Sequence, residues 1–298
     1  MSKPASLEIV ICTEKGALEE MSCLLVASIR SLPYPWNKTP IYSYQPRKSF
    51  EISDKTRDFF KRYNVHFSDF NLNQDFIEYP LANKPIVCAY HESVSKADRL
   101  LFIDSDTIFI NPPVLLEQLQ GDVKIRPVDL CTNKMPTDKN FSSGDATYWS
   151  SLYKLLKIER RETVISTIDN QEILEYYNSG FVCVNRKKQV FSRWLENFKS
   201  VMAERLVPDN GQYFVEQTTF SATVAQMNLK VDILPKDYNF PVSYYIKKWR
   251  GFYPFSLGDR VHIHYHKLLR NSRLKRRFIS RLEKIHQIAE LLGLLQNG

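Results

Sequence analysis

The stretch Ala97-Asp98-Arg99-Leu100-Leu101-Phe102-Ile103-Asp104-Ser105-Asp106-Thr107-Ile108-Phe109-Ile110-Asn111-Pro112-Pro113 decides how this chain is read. Leu100 to Ile103 is an apolar run of strand length that delivers two carboxylates, Asp104 and Asp106, spaced i, i+2. A second apolar run follows before Asn-Pro-Pro stops it. On an extended strand residues two apart project from the same face, so the spacing predicts that the acids stand side by side. Like charges so placed repel. Either they are solvated acids at the mouth of a strand, or they are hard oxygen ligands for Mg2+ or Mn2+ with a polyphosphate.

The flanking sequence predicts alternating strands and helices. Leu7 to Thr13 is rich in β-branched residues, as a buried central strand would be. Gly16 breaks it, and Ala17 to Leu32 has helical spacing through Met21, Leu24, Leu25, Ser28 and Ile29. Pro40 to Tyr44 and Val65 to Phe67 read as strands, with a helix over Ser53 to Tyr63 capped by Ser53. Ile86 to Lys96 reads as the helix that feeds the acidic strand, with Lys84 just ahead of it and able to meet a phosphate at the helix N-terminus. Such alternation predicts an α/β fold with a mostly parallel sheet flanked by helices. Ligands then gather at the carboxyl ends of the strands, where Thr13, Glu14, Asp104 and Asp106 all fall.

Later segments are more varied. Val123 to Leu130 reads as extended, residues 133–144 as a polar mobile loop, and Tyr148 to Ile158 as an amphipathic helix, while Glu159 to Glu175 resists assignment. The Asn178-Ser179-Gly180 turn enters an apolar strand and suits close backbone approach to a ligand. Helices are expected over Gln189 to Arg205 and, opened by Glu216-Gln217, over Thr218 to Met227, then a strand over Val231 to Pro235. His262, His264 and His266 recur at i, i+2, i+4, which on a strand offers an imidazole to a metal.

Bulk properties bound the class. The 298 residues carry a net charge of +8, of which the segment from Lys247 to His286 supplies +10, leaving the rest close to −2. A basic tail on a nearly neutral body predicts an anionic partner for the tail rather than a nucleic-acid-coating protein. From Leu268 the basic residues interleave with apolar ones as an amphipathic helix, suited to an anionic membrane surface or to packing on the body. No apolar stretch approaches the ~18 residues of a spanning helix, and the N-terminus lacks a signal-peptide pattern. Five scattered cysteines without metal-knuckle spacing read as reduced thiols of a cytoplasmic protein.

Taken in order, these residues resemble the GT-A-fold nucleotide-sugar glycosyltransferases, most closely the glycogenin-like and bacterial lipooligosaccharide galactosyltransferase-like group. Phe102 to Asp106 is similar to the Asp-x-Asp signature, Asn178-Ser179-Gly180 to the Asn-Ala/Ser-Gly turn beside the donor sugar, and Glu216-Gln217 to an Asp-Gln pair near the anomeric carbon. Ile263-His264-Tyr265 matches the Ile-His-Tyr that supplies a late metal ligand. The family continues with Gly, then Lys-Pro-Trp, where this chain has Lys267, Arg270 and Asn271-Ser272.

The resemblance implies a GT-A domain over residues 1–267, with 1–120 as the nucleotide-binding half and 121–267 as the donor-sugar and acceptor half, followed by the basic helix 268–298. It implies metal ligands Asp104, Asp106 and His264. It further implies nucleotide contacts from Thr13, Glu14, Lys84, Asp104, Ser105, Lys267 and Arg270, and catalytic or sugar-orienting roles for Asn178, Glu216 and Gln217. The implied cofactor is Mn2+ or Mg2+. The implied donor is a nucleotide-sugar, UDP favoured, with a glycan or glycolipid acceptor and retention of configuration. Nucleic acid is not an expected partner. A haloacid-dehalogenase-like phosphatase also places Asp-x-Asp after an apolar strand, but usually in its first strand. A non-catalytic anionic-ligand-binding protein would use the tail and leave the acid pair without a role.

Overall fold

The computed structural model describes residues 6–117, 120–130, 147–208, 211–242, 244 and 257–266. Lys267, Arg270, the loop 133–144 and the basic segment 268–298 lie outside the described residues. In chain order the elements are β1 (Leu7–Cys12), α1 (Ala17–Arg30), β2 (Ile41–Tyr44), α2 (Asp54–Arg62), β3 (Val65–Ser68), α3 (Asn83–Val94), β4 (Arg99–Ile103) and β5 (Thr107–Phe109). There follow β6 (Val123–Ile125), α4 (Thr147–Leu155), β7 (Thr163–Ile165), β8 (Glu172–Leu174), β9 (Phe181–Asn185), α5 (Val190–Ala203), α6 (Val215–Gln226), β10 (Val231–Ile233), β11 (Phe240–Pro241) and β12 (His262–His264).

Seven strands form the central sheet in the order β10-β6-β9-β4-β1-β2-β3, and helices flank it. The expected α/β architecture is present. Parallel pairing dominates: β1 with β4, β2 with β3, and β6 with β10, while β9 runs antiparallel to β6. All five residues of β4 are buried, which is why Leu100 to Ile103 reads as a continuous apolar run and not as an alternation.

Two compact units interleave along the chain. One takes its described residues from 1–10, 72–102 and 119–234, the other from 11–71, 103–118 and 235–298. In the first, α5 packs between α3 and α6, and Trp194 and Phe198 of α5 are fully buried. Glu92 of α3 accepts bonds from the amides of Phe191 and Ser192 and the Ser192 hydroxyl. It thereby caps α5, whose own N-cap, Gln189, supplies no side-chain bond. In the second unit α1 packs on β5, and β5 joins β12 and β11 in a separate three-stranded sheet.

Three local expectations are corrected. Helix α3 begins at Asn83, so Lys84 and Pro85 lie inside its first turn, where proline is tolerated because the first amides have no intrahelical partner. The unassigned stretch from Glu159 to Glu175 contains the antiparallel pair β7–β8, joined by a turn in which Asn170 takes φ 54°. Asp104 and Asp106 do not share a strand face, because β4 ends at Ile103 and the acids occupy the turn into β5.

The N-termini of α1 and α2 share one carboxylate. Glu19, in the first turn of α1, accepts bonds from the Gly16 amide, the Ser53 amide and hydroxyl, and the Thr56 hydroxyl. Burial pushes its pKa up, but these bonds outweigh that effect and hold it down to about 2, against an ordinary 4.5. A depressed folded pKa gives stability that is fully present above about pH 4.5 and is lost as pH falls toward 2. Glu19 is half-buried, so Glu19→Gln is expected to cost about 1 kcal/mol at neutral pH, the size of a lost cap. The gap between variant and wild type in urea midpoint should narrow steadily below pH 4.5; a gap independent of pH would contradict the assignment.

Candidate active site

Asp104 and Asp106 are carried on the tight turn between β4 and β5. Its shape is fixed by two hydroxyls: Thr107 Oγ1 donates to the Asp104 carbonyl at 2.7 Å, and Ser105 Oγ donates to the Cys12 carbonyl at the end of β1, also at 2.7 Å. Ser105 and Thr107 are buried while both acids are half-buried, so the turn anchors its hydroxyls inward and leaves its carboxylates toward solvent.

The third member arrives from far along the chain. Antiparallel pairing of β12 with β5 sets His264 opposite Thr107 and Ile263 opposite Ile108. The Tyr265 amide donates to the Asp106 carbonyl at 3.1 Å, and His264 Nε2 lies 2.9 Å from Asp106 Oδ1. One ligand atom each from Asp104, Asp106 and His264 falls within 4.8 Å of the others. Two carboxylate oxygens and one imidazole nitrogen form a donor set suited to Mn2+ or Mg2+, so these residues fit a divalent cation. Among the three histidines singled out by their spacing, only His264 enters this cluster. His262 is fully buried beside Phe109, and His266 follows the end of the strand.

The neighbouring strand end holds a closed ion pair. Arg47 Nε donates to both carboxylate oxygens of Glu14 at 2.9 and 3.1 Å, and Nη2 donates to Oε2 at 2.5 Å. Both side chains are more than nine-tenths buried, and the guanidinium lies 3.8 Å from the centre of the Phe50 ring. Thr13 is fully buried, its hydroxyl 2.8 Å from those of Ser22 and Ser43. Arg47 escaped the sequence reading. It follows β2 as Glu14 follows β1, and the two strands are neighbours in the sheet, so strand order would have revealed the pairing.

Within the other unit, the Asn178-Ser179-Gly180 turn and the first turn of α6 form one hydrogen-bonded group. Glu216, almost wholly buried, has its carboxylate 3.1 Å from Lys84 Nζ and accepts the Ser179 hydroxyl at 3.1–3.2 Å. Gln217 accepts the Ser179 amide at 3.2 Å and donates to the Tyr176 hydroxyl at 2.8 Å. Asn178 Oδ1 accepts the Gly180 amide at 2.8 Å, an Asx turn that holds the chain where it enters β9. Trp194 Nε1 donates to the Glu216 carbonyl at 2.9 Å and pins the start of α6 from behind. Burial drives the Tyr176 phenol far above its ordinary range, so it stays a neutral hydroxyl partner for Gln217. Lys84, in the first turn of α3, thus has an acid partner that local sequence did not foretell.

A central α/β sheet with acids at a strand's carboxyl edge and a late imidazole beside them is an architecture of the GT-A type. The model of the Rhodobacterales glycosyltransferase domain family matches residues 9–228, well over half of the chain, and the chain belongs to that family. That segment includes Asp104, Asp106, Asn178, Glu216 and Gln217, while His264 lies beyond it. Among solved structures, an active-site mutant of LgtC is 14% identical, with 93% of this chain and 95% of that one covered and a TM-score of 0.50. The bifunctional glycosyltransferase WbbM is 15% identical over 89% of this chain, with a TM-score of 0.50; the match spans only 46% of the WbbM chain. At these identities the likeness is one of fold. No curated protein sequence matches.

Breaking the buried Glu14–Arg47 pair from one side should be costly. Arg47→Met leaves the Glu14 charge buried without compensation and is expected to lose about 3–5 kcal/mol in urea denaturation. The Glu14→Gln/Arg47→Met double variant should lie closer to wild type. Strict additivity of the two single changes would show that the pair is uncoupled.

Proposed function

We propose that this glycosyltransferase is metal-dependent and moves a sugar from a nucleoside diphosphate donor, UDP-sugar favoured, to a glycan or glycolipid acceptor with retention of configuration. The observation that carries this reading is the convergence of Asp104, Asp106 and His264. These three residues would hold Mn2+ or Mg2+, which when bound supplies Lewis-acid neutralisation of the departing diphosphate. Thr13, Glu14 and Ser105 serve the nucleotide. Since Glu14 and Thr13 are buried and internally bonded, they act by fixing the backbone at the end of β1. Lys267 and Arg270 add positive charge to the leaving group. Asn178 and Gln217 orient the donor sugar. Residues 1–120 act as the nucleotide half and 121–267 as the sugar and acceptor half, with His264 and Lys267 of the second half serving the metal and diphosphate.

Retention is favoured over an inverting route with Glu216 as base. The Glu216 carboxylate is engaged by Lys84 and Ser179, which leaves it poorly placed to take a proton from an acceptor hydroxyl. In the same arrangement Lys84 spends its charge on Glu216, so its contribution to a phosphate is secondary. Family membership favours the transferase over the phosphatase. Among the described residues no helix is long and apolar enough to cross a membrane. The basic segment 268–298 is proposed as a peripheral contact with anionic lipid on the cytoplasmic face.

Thermal denaturation with UDP, GDP and CDP, each with and without Mn2+, tests the donor and metal assignments together. One nucleotide should stabilise the protein only with the metal, by about 2.7 kcal/mol at a hundredfold excess over its Kd, and Asp106→Ala should abolish the effect. Full sugar transfer by Asp106→Ala at saturating Mn2+ would refute the metal site. The product's anomeric configuration by NMR decides between retention and inversion. Deleting 268–298 should weaken binding to anionic vesicles, and unchanged binding would dispose of the membrane contact.

A further inference from the structure

His266 belongs to none of the groups described above, yet its ring lies flat on that of His264, with centroids 3.8 Å apart and planes inclined by only 6°. Strand β12 ends at His264, and His266 takes a left-handed backbone conformation, φ 50°. For a residue with a Cβ that conformation costs of order 1 kcal/mol and persists only where the surroundings enforce it. The enforcement is visible at the preceding residue. Tyr265 has a fully buried side chain, and its amide is bonded to the Asp106 carbonyl at 3.1 Å. The chain is therefore held at Tyr265 and turned sharply after it. In a continued strand the two side chains would stand well apart, about two residue rises along the strand; the left-handed turn brings ring onto ring.

An imidazole ligand has a free rotation about its Cβ–Cγ bond unless something fixes the plane of the ring. One side of that control is the contact between His264 Nε2 and Asp106 Oδ1 at 2.9 Å. A hydrogen bond alone limits where the nitrogen sits but leaves the ring free to rock about it. A flat neighbour at van der Waals distance removes the rocking. Residues outside the ligand set that orient a metal-binding histidine commonly change metal affinity ten- to hundredfold.

We propose that His266 is a positioning residue for the metal centre: its ring fixes the plane of the His264 imidazole and so presets the nitrogen toward the cation. The role rests on the reading of Asp104, Asp106 and His264 as metal ligands. It is carried by the shape of the ring, so a flat apolar ring serves in its place.

The test is a titration of the full-length protein with Mn2+ in the presence of UDP, with free Mn2+ read by electron paramagnetic resonance. Wild type, His266→Ala, His266→Phe and His266→Leu are compared, with thermal melting to report folding. His266→Ala is expected to bind Mn2+ about tenfold more weakly at an unchanged melting temperature, to recover its kcat at saturating Mn2+, and to keep its KM for the acceptor. His266→Phe should lie within about twofold of wild type, and His266→Leu, bulky but not flat, should fall with His266→Ala. If His266→Ala proves unfolded, the comparison of Phe with Leu decides alone. Equal affinity in Phe and Leu variants, or wild-type affinity in the Ala variant, overturns the proposal. Failure of wild type to bind Mn2+ at all, while the variants melt normally, overturns the reading of the metal centre itself and the role of His266 with it.

Discussion

The antiparallel pairing of β5 with β12 is the constraint on which the metal-binding reading depends. Three residue pairs, His262 with Phe109, Ile263 with Ile108 and His264 with Thr107, bring together segments more than 150 positions apart in the chain. Because side chains alternate along a strand, a slip of one residue would turn His264 away from Asp106 and present Ile263 or Tyr265 instead. The register is protected by packing: Ile108, Phe109, His262, Ile263 and Tyr265 are all interior, so a slip would force side chains of different size and polarity into one another's places. Geometry at the site is thus an outcome of core packing several residues away.

A second theme is the use of hydroxyl groups as inward anchors beside outward acids. Ser105 and Thr107 bond to main-chain carbonyls and leave their acidic neighbours half-buried. Ser179 anchors its turn differently, bonding the buried Glu216 carboxylate through its hydroxyl and the Gln217 side chain through its amide. Alternating anchored and presented residues lets a short turn hold a charged side chain without a long loop. His264 lies within reach of both Asp104 and Asp106, and the buried Glu216 carboxylate is compensated by Lys84.

Much of this was legible in the sequence because period and punctuation carry it. The buried β4, the Ser53 cap of α2 and the amphipathic α5 all follow from patterns within a dozen residues. The grouping of Asp104, Asp106 and His264 could be anticipated only through the order of several short motifs, since nothing local to His264 distinguishes it from His262. What escaped was non-local or stereochemical. The Lys84–Glu216 and Arg47–Glu14 pairs join residues whose approach depends on strand order and helix packing. The acid pair was placed on a strand because apolar spacing does not mark where a strand yields to a turn. The β7–β8 hairpin was hidden by its half-exposed, charge-rich strands, Thr163–Ile165 and Glu172–Leu174.

The long reach between β5 and β12 also bears on how the chain matures. During synthesis both acids emerge long before the strand that carries the imidazole, and vectorial folding can complete much of the body first. Until β12 docks, β5 lacks its partner strand and the two acids stand without His264. The Asp104, Asp106 and His264 cluster is therefore complete only when β12 pairs with β5 in register. A nascent or damaged chain that lacks β12 would still carry all seven strands of the central sheet but only two members of the cluster.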